Sequence, residues 1–401
     1  MKKIKCFLLG FGLGVIVFTG PKVSAFDGLH NIKVAFSNRP IYIEGSKANL
    51  SNKPILYEGT TYLPMRDVAQ ALGKEVLYDT SSRTIYIYIY SKGNEPTINE
   101  GKDNKQQDKD LAKQQEVSRE FTINNISIGD SLEHLKSKLG EPARKDASEY
   151  GFTWYIYNKD YINYMQVGVE DNKVVAIYTN SINWRSKKGI GFGSTAESTK
   201  KTYGIPLSYI QKGLTRFYFN YDKESASTFL IDNCFATFFY DIHNNNAVTS
   251  VYIIDKDTEL AFKSYYGKSS QELMDAYSRQ IFDLANAVRA RYDLKPFIWD
   301  DKAAKSSYLH CKDMADNSFF DHNNLKGESP FDRMQKQGIR YYAAGENIAA
   351  GSKNGIFAHE AWMNSEGHRK NILYDFDRLG VAVHFGGDYQ IYYAQNFYTP
   401  R

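Results

Sequence analysis

Gly345-Glu346-Asn347-Ile348-Ala349 and, a short way on, Ala361-Trp362-Met363-Asn364-Ser365-Glu366-Gly367-His368-Arg369 are the stretches on which the reading of this chain turns. Upstream of both stands Phe319-Phe320-Asp321-His322. Each segment sets an ionisable side chain among small or aromatic neighbours, as expected of a polar group held at the edge of an apolar core. Together they predict one site assembled from three separate elements. A histidine beside a carboxylate acts as a general base or orients a water, so His322, Glu346 and His368 are the expected catalytic residues. Two histidines and a glutamate also form a donor set for Zn²⁺ with one open position, which makes the same three the expected metal ligands. Helical HExxH spacing is absent, because His359-Glu360 is followed by Met363. His359 is expected on a surface or rim.

The surrounding pattern predicts alternating helices and strands. Leu273, Tyr277, Ile281, Leu284 and Val288 recur at helical spacing, giving a helix over residues 270–292. A second helix is expected over 301–317. Ser329-Pro330-Phe331-Asp332 reads as a third helix start, with Ser as N-cap, Pro first and Asp in the first turn. A fourth is expected over 355–365, ended by Gly367. Strands are expected over 379–385 and 389–398. Helices enclosing a short antiparallel sheet make an α+β layered sandwich.

With these residues in view, residues 266–401 resemble the CAP superfamily (cysteine-rich secretory proteins, antigen 5 and pathogenesis-related proteins) in its bacterial form. The elements that carry the resemblance include Asn286 to Arg289, Phe297-Ile298-Trp299-Asp300, Phe319 to His322, Ser329 to Met334, Gly345 to Ala349 and Trp362 to Leu373. The resemblance implies an α-β-α sandwich and a cleft of two histidines and two glutamates. His322 and Glu346 fall on the first of each. The second glutamate position holds Ser365, with Glu366 one place later. The second histidine position holds Tyr392, and Gln395 lies in the last strand motif. Ser365, Glu366, Arg333, Gln395 and Tyr392 are therefore the expected binding residues. Structural alternatives stand beside each role. Glu346 can accept backbone hydrogen bonds in a tight loop, His368 can bond the last carbonyls of a helix, and Ser329 is a helix cap. Arg333 and Arg369 are expected in solvated salt bridges.

The rest of the chain divides by composition. Residues 1–25 read as a signal peptide: Lys2, Lys3 and Lys5, a short apolar run, then Val23-Ser24-Ala25. Residues 30–90 form a small stalk-like domain with a helix from 67 to 72 and strands near 32–36, 40–43, 75–78 and 84–90. Gly59-Thr60-Thr61-Tyr62-Leu63-Pro64-Met65-Arg66 and Thr84-Ile85-Tyr86-Ile87 resemble the N-terminal module first named from copper amine oxidases. The lack of a histidine cluster argues against copper. In residues 84–90 isoleucines and tyrosines alternate, so each type takes one face of a strand. Residues 91–120 are charged and glutamine-rich, the composition of a disordered linker.

Residues 121–265 contain two internal repeats. Gly129, Ser131, Gly140 and Pro142 recur as Gly193, Thr195, Gly204 and Pro206. Each unit opens with a short capped helix and reads as a βαβ-type pair member, and the second carries a small insertion. No titratable cluster is expected there. This region resembles the accessory domain that precedes bacterial CAP domains, so two smaller β-rich α+β modules are expected before the sandwich.

The formal charge of +4 comes from the first 25 residues. Without the lysines at 2, 3, 5 and 22 the chain holds 46 basic against 46 acidic residues. Such a balance offers no general attraction for nucleic acid, and no apolar tail suggests a transmembrane anchor. Cys234 and Cys311 are expected to be buried thiols. The expectation is a secreted, cell-wall-associated protein whose cleft binds a wall glycan, peptide or lipid. The alternative is a hydrolase, Zn²⁺-assisted or not.

Overall fold

A computed structural model of the chain describes residues 119–401 without a break and short stretches between residues 35 and 89. The expected signal peptide, and all but the last two residues of the expected linker, lie outside the described residues. Among the described residues, no helix is long and apolar enough to cross a membrane.

In the N-terminal unit, β1 (Ala35–Phe36), β4 (Ile55–Tyr57) and β5 (Thr60–Tyr62) form one sheet in the order β1-β4-β5. The hairpins β2 (Tyr42–Ile43) with β3 (Ser46–Lys47) and β6 (Lys74–Asp79) with β7 (Thr84–Ile89) accompany it. The predicted helix is described only at Asp67 and Val68, where the Val68 N–H donates to the Pro64 carbonyl at 3.1 Å. The tyrosine faces of β7 lie outside the described side chains.

Residues 119–401 belong to one compact unit. Its first part is a seven-stranded antiparallel sheet, built from β8 (Arg144–Ala147), β9 (Thr153–Tyr157), β10 (Met165–Glu170), β11 (Lys173–Thr179), β14 (Ala226–Ile231), β15 (Cys234–Asp241) and β16 (Ala247–Asp255). The strand order is 14-15-16-11-10-9-8. Two meanders meet at their last strands, with Tyr178 of β11 opposite Tyr252 of β16. The expected βαβ units are thus corrected: all pairings in this sheet are antiparallel, and the helices precede the meanders. Helix α1 (Leu132–Leu139) is capped by Ser131 and ends at Gly140, φ 73°; α2 (Ala196–Tyr203) is capped by Thr195 and ends at Gly204, φ 86°. Serine or threonine at one end and a left-handed glycine at the other satisfy the orphan backbone groups of these short helices. The hairpin β12 (Tyr209–Lys212) with β13 (Thr215–Tyr218) stands apart from the sheet, and helix α3 (Lys256–Ala261) follows β16.

The last part is the α-β-α sandwich. Its sheet has the order β17 (Ile298–Trp299), β19 (Arg378–Phe385), β20 (Ile391–Pro400), β18 (Tyr341–Ala350). Helix α4 (Gln271–Arg291) is capped by Ser270. Its Leu273, Tyr277 and Ile281 pack with Trp362 and Ile372 on Val381, Tyr393 and Phe397. The opposite face carries α5 (Asp301–Asp316), whose Cys311 and Met314 pack on Ile348, Tyr392 and Ala394. Period-two alternation along each strand produces this division. At Gly380 a Cβ would come within 2.0 Å of the Ala304 nitrogen, so α5 crosses β19 where only glycine fits. Helix α6 (Pro330–Lys336) has a complete capping box between Ser329 and Asp332. Helices α7 (Gly355–Met363) and α8 (Glu366–Leu373) close the α4 face.

Four expectations are corrected here. The fourth helix stops at Met363, and Gly367 lies inside α8 rather than ending a helix. Residues 341–350 form a strand, so Glu346 does not sit in a tight loop. His359 is buried at 1% exposure, not at a rim. Finally, residues 121–265 do contribute buried titratable groups. Buried Lys212 pairs with buried Glu259 at 2.6 Å, and half-buried Arg144 bridges to buried Asp283 of α4 at 2.8 Å. Cys234 and Cys311 are free and buried, as expected.

The two parts share a core. Leu284 and Ala287 of α4 and Ile356 of α7 pack with Trp154, Phe239 and Tyr252 of the seven-stranded sheet. Polar contacts pin the seam: Glu360 accepts from Tyr178 at 2.7 Å and from Ser250 at 2.6 Å, Asn354 donates to Glu149 at 2.6 Å, and Arg369 bridges to Asp241 at 2.8 Å.

Candidate functional site

Glu346 projects from β18 on the α5 face, in phase with Ile348. Its side chain is 1% exposed, and a carboxylate so placed is stable only when fully partnered. Oε1 accepts from His322 Nδ1 at 2.9 Å. Oε2 accepts from Arg333 Nη2 at 2.7 Å. The Asn396 amide, turned so that its nitrogen faces Glu346, donates to Oε2 at 3.2 Å while its oxygen accepts from Ser307.

Arg333 is equally committed. It leaves α6, its side chain is 8% exposed, and Nη1 donates to the carbonyls of His322 at 2.7 Å and Glu328 at 3.0 Å. His310 of α5 donates from Nε2 to the carbonyl of Asp321 at 2.9 Å. Burial holds the His310 imidazole below its usual pKa, which keeps it neutral and fixes its other nitrogen as Nδ1 without a proton. Two side chains thus clamp the loop that carries His322 at adjacent carbonyls.

The consequence for His322 is chemical. Its side chain is 49% exposed, and its Nδ1–H is held by a buried anion. That contact sets the tautomer and turns Nε2 outward as an acceptor. Among the described residues, no serine, threonine or cysteine hydroxyl or thiol hydrogen-bonds His322.

His322 opens onto a cleft of about 660 Å³. The C-terminal wall includes Phe320, Asp321, Trp362, Ser365, His368 and Tyr389. The facing wall comes from residues 220–222 and 224–226, Phe239 and Ile242 of the preceding region. The floor is the end of β18 and the turn after it, Ile348 to Ser352. His368 is in the first turn of α8, not beyond a helix end as expected. Burial, with His322 nearby, lowers its pKa to about 4. Ser365 is the N-cap residue of α8, yet its hydroxyl does not cap the helix and it lines the cleft.

The expected residues therefore separate into two groups. His322, Glu346 and Arg333 form one bonded cluster, and His368 and Ser365 share its cleft. Tyr392 and Gln395 do not line it. Tyr392 points to α5 between Cys311 and Met314, and Gln395 is buried in the sheet, accepting from Asn347 at 3.0 Å. Glu366 is exposed in the first turn of α8 and does not line the cleft either. The proposed metal triad is also not assembled: among the described residues no three His, Cys, Asp or Glu side chains converge to hold a metal. The reason lies in the strand. Glu346 faces α5, whereas α8 sits over the other face, where Asn347 donates to the His368 carbonyl at 3.1 Å. Both Glu346 oxygens are already taken. Phe320 is 36% exposed and lines the cleft against Tyr389. Arg333 is a buried partner of Glu346 and Arg369 a half-buried partner of Asp241, so neither is a fully solvated salt bridge.

Comparison with known proteins fits this architecture. Residues 282–397 match the Cysteine-rich secretory protein family (CAP). Residues 128–265 match the CAP-associated N-terminal domain, and residues 15–87 match the Copper amine oxidase N-terminal domain. The chain is 31% identical over 290 residues to "Uncharacterized membrane protein YlbC" of Bacillus subtilis (strain 168), covering 67% of this chain and 82% of that protein. It is 45% identical over 115 residues to "Uncharacterized protein YkwD" of the same organism, covering 28% of this chain and 45% of that one. An extracellular protein containing a SCP domain from Bacillus anthracis str. Ames superposes with TM-score 0.61 at 30% identity, covering 75% of this chain and 100% of that one. A cysteine-rich secretory protein from Staphylococcus aureus superposes with TM-score 0.55 at 18% identity, covering 70% of this chain and 94% of that one, a likeness of fold.

Proposed function

The chain belongs to the Cysteine-rich secretory protein (CAP) family, and on that premise we propose that it is an extracellular binding protein. Its ligand site is the cleft between the CAP domain and the region before it. The observation that carries this reading is the cleft itself: about 660 Å³, walled by both parts of one compact unit, with His322, held from behind by Glu346, in its lining. A cavity of this size with few polar groups on apolar walls is the usual form of a ligand site. The extracellular assignment is supported by the signal-like residues 1–25 and by the description of the Bacillus anthracis relative. A wall glycan, peptide or lipid is the ligand class expected of such a location.

The test uses Ala361, an exposed residue of α7 that lines the cleft. Ala361→Trp fills the cleft without touching the His322 cluster. Calorimetric titration with soluble wall fragments, peptides and lysolipid should give binding by the wild type and none by the variant. Equal binding by both would place the site elsewhere.

A second reading rests on the His322 geometry. An imidazole whose Nδ1–H is held by a buried carboxylate has Nε2 free to take a proton from water, so hydrolysis of a bound peptide or wall bond is the alternative. Mass spectrometry of bound ligand decides between the two. Turnover that vanishes in His322→Ala while affinity persists would establish an enzyme, and intact ligand with the wild type would establish a binder.

A further inference from the structure

The cleft has a chemical bias that names a ligand class, and the argument rests on the binding reading above. Among the described residues none of those lining it is Lys or Arg; Lys223, between Asp222 and Glu224, is exposed but is not part of the lining. Carboxylates stand on both walls: Asp222 and Glu224 on the loop of the preceding region, Asp321 beside His322 on the CAP domain. All three are exposed and carry no ion pair among the described residues. The only other titratable lining groups are Tyr221, Tyr389, Glu360 and the two histidines. Glu360 is turned to Tyr178 and Ser250, and His368 is neutral above about pH 4. Aromatic faces, Tyr221, Phe239, Phe320, Phe357, Trp362 and Tyr389, supply the remaining walls. Aromatic rings with uncompensated carboxylates favour a cationic ligand with an apolar body.

The floor adds a second, independent feature. Among the described residues β18 pairs only with β20, which makes it an edge strand. Its residues Glu346 and Ile348 turn their carbonyls outward, where Asn371 caps the first at 3.2 Å and Trp362 Nε1 caps the second at 3.1 Å. The Gly351 N–H returns to β20, donating to the Ile391 carbonyl at 2.9 Å. By the same alternation Ala350 presents its N–H and C=O outward, into the cleft it lines. Among the described residues no side chain caps it. An unpaired strand edge at the base of a groove is the feature that an extended peptide adds to. A small amine would leave these groups unused.

We propose that the cleft binds an extended, basic peptide segment, which pairs with the β18 edge at Ala350 and sets Lys or Arg side chains against Asp222, Glu224 and Asp321. The helix-dipole field at the start of α8 does not oppose this, because Glu366 in its first turn compensates it.

The test uses the full chain and three acetylated, amidated pentapeptides, alternating leucine with lysine, glutamine or glutamate. Fluorescence anisotropy should show the lysine peptide binding most tightly, with affinity falling as salt rises. Asp222→Asn/Glu224→Gln keeps the Asp222 Oδ1 acceptor for the Glu224 N–H. Loss of two exposed ion pairs should weaken the lysine peptide about tenfold and leave the glutamine peptide unchanged. N-methylation of the central leucine amide should weaken the lysine peptide further, through the strand pairing. Equal affinity for all three peptides, or an unchanged affinity in the acidic-loop variant, overturns the proposal but leaves the cleft as a binding site. Binding of none of the peptides, together with binding of a glycan or lipid lost in Ala361→Trp, also overturns it. Absence of any cleft ligand sinks the binding reading as well.

Discussion

The Arg333–Glu346 pair sets up a double-substitution cycle whose outcome follows from burial. Arg333→Met leaves the Glu346 carboxylate, 1% exposed, with only His322 and Asn396 for company. Removing one member of a buried pair costs about 3–5 kcal/mol, because the other charge stays desolvated. Glu346→Gln strands the guanidinium of Arg333, 8% exposed, and should cost a similar amount. The double variant has no stranded charge. It loses only the Arg333 hydrogen bonds to the carbonyls of His322 and Glu328, about 1 kcal/mol each. Urea titration of the four proteins should therefore give singles destabilised by about 3–5 kcal/mol and a double destabilised by about 2–3 kcal/mol. That is a coupling well above the few tenths expected of independent sites. Additive costs, or an Arg333→Met cost under about 1 kcal/mol, would refute the buried-pair account of how His322 is held.

Three further outcomes follow from the same geometry. Burial lowers the His359 pKa to about 3, so between pH 6.5 and 5 the unfolded chain gains a proton there that the folded chain refuses. Stability carried by a neutral His359 is thus complete above pH 6.5 and falls as pH drops. In His359→Phe the acid-side loss should shrink by about 2 kcal/mol between pH 6.5 and 5, read by denaturation at both values. Gly380→Ala drives a methyl into the α5 backbone at Ala303 and Ala304 and should cost about 1–3 kcal/mol, visible as a lowered Tm. Tyr178→Phe with Ser250→Ala removes both donors to Oε1 of Glu360, whose pKa burial already raises. The seam should weaken by about 2–4 kcal/mol, and faster hydrogen exchange across β11, β16 and α7 would report it.

What the sequence made legible is what local chemistry governs. The periodicity of α4, the Ser329 capping box and the Ser131 and Thr195 caps are short-range signals, and each marks a helix end or face. β18 was hidden because its residues, Ala343-Ala344-Gly345-Glu346-Asn347-Ile348-Ala349-Ala350, have poor intrinsic strand preference. They are small because helices press on both faces; a Cβ on Gly345 would meet Asn371 and Phe376 at 3.1–3.2 Å. The break at Asn364 and Ser365 was hidden for a similar reason. It is stabilised by long-range bonds, with Asn364 donating to Tyr240 and accepting from Ile242.

The site was half legible. His322 and Glu346 stood out by residue type, and they are in contact. The groups that position them, His310, Asn396 and Asn371, carried no signal, because their partners Asp321 and Glu346 lie 11 to 50 residues away. Tyr392 and Gln395 lie in β20, a strand paired on both sides, and neither side chain lines the cleft. The wall at residues 220–226 was also out of reach, since it belongs to a region whose contact with the CAP domain is purely tertiary.

The composite cleft is tested most directly by hydrogen–deuterium exchange of the full chain with and without saturating lysine–leucine pentapeptide. Simultaneous protection of residues 220–226, 320–322 and 348–352 is the expected pattern, since these three segments wall and floor one cavity. Protection confined to one of them, or lying elsewhere in the chain, would contradict it.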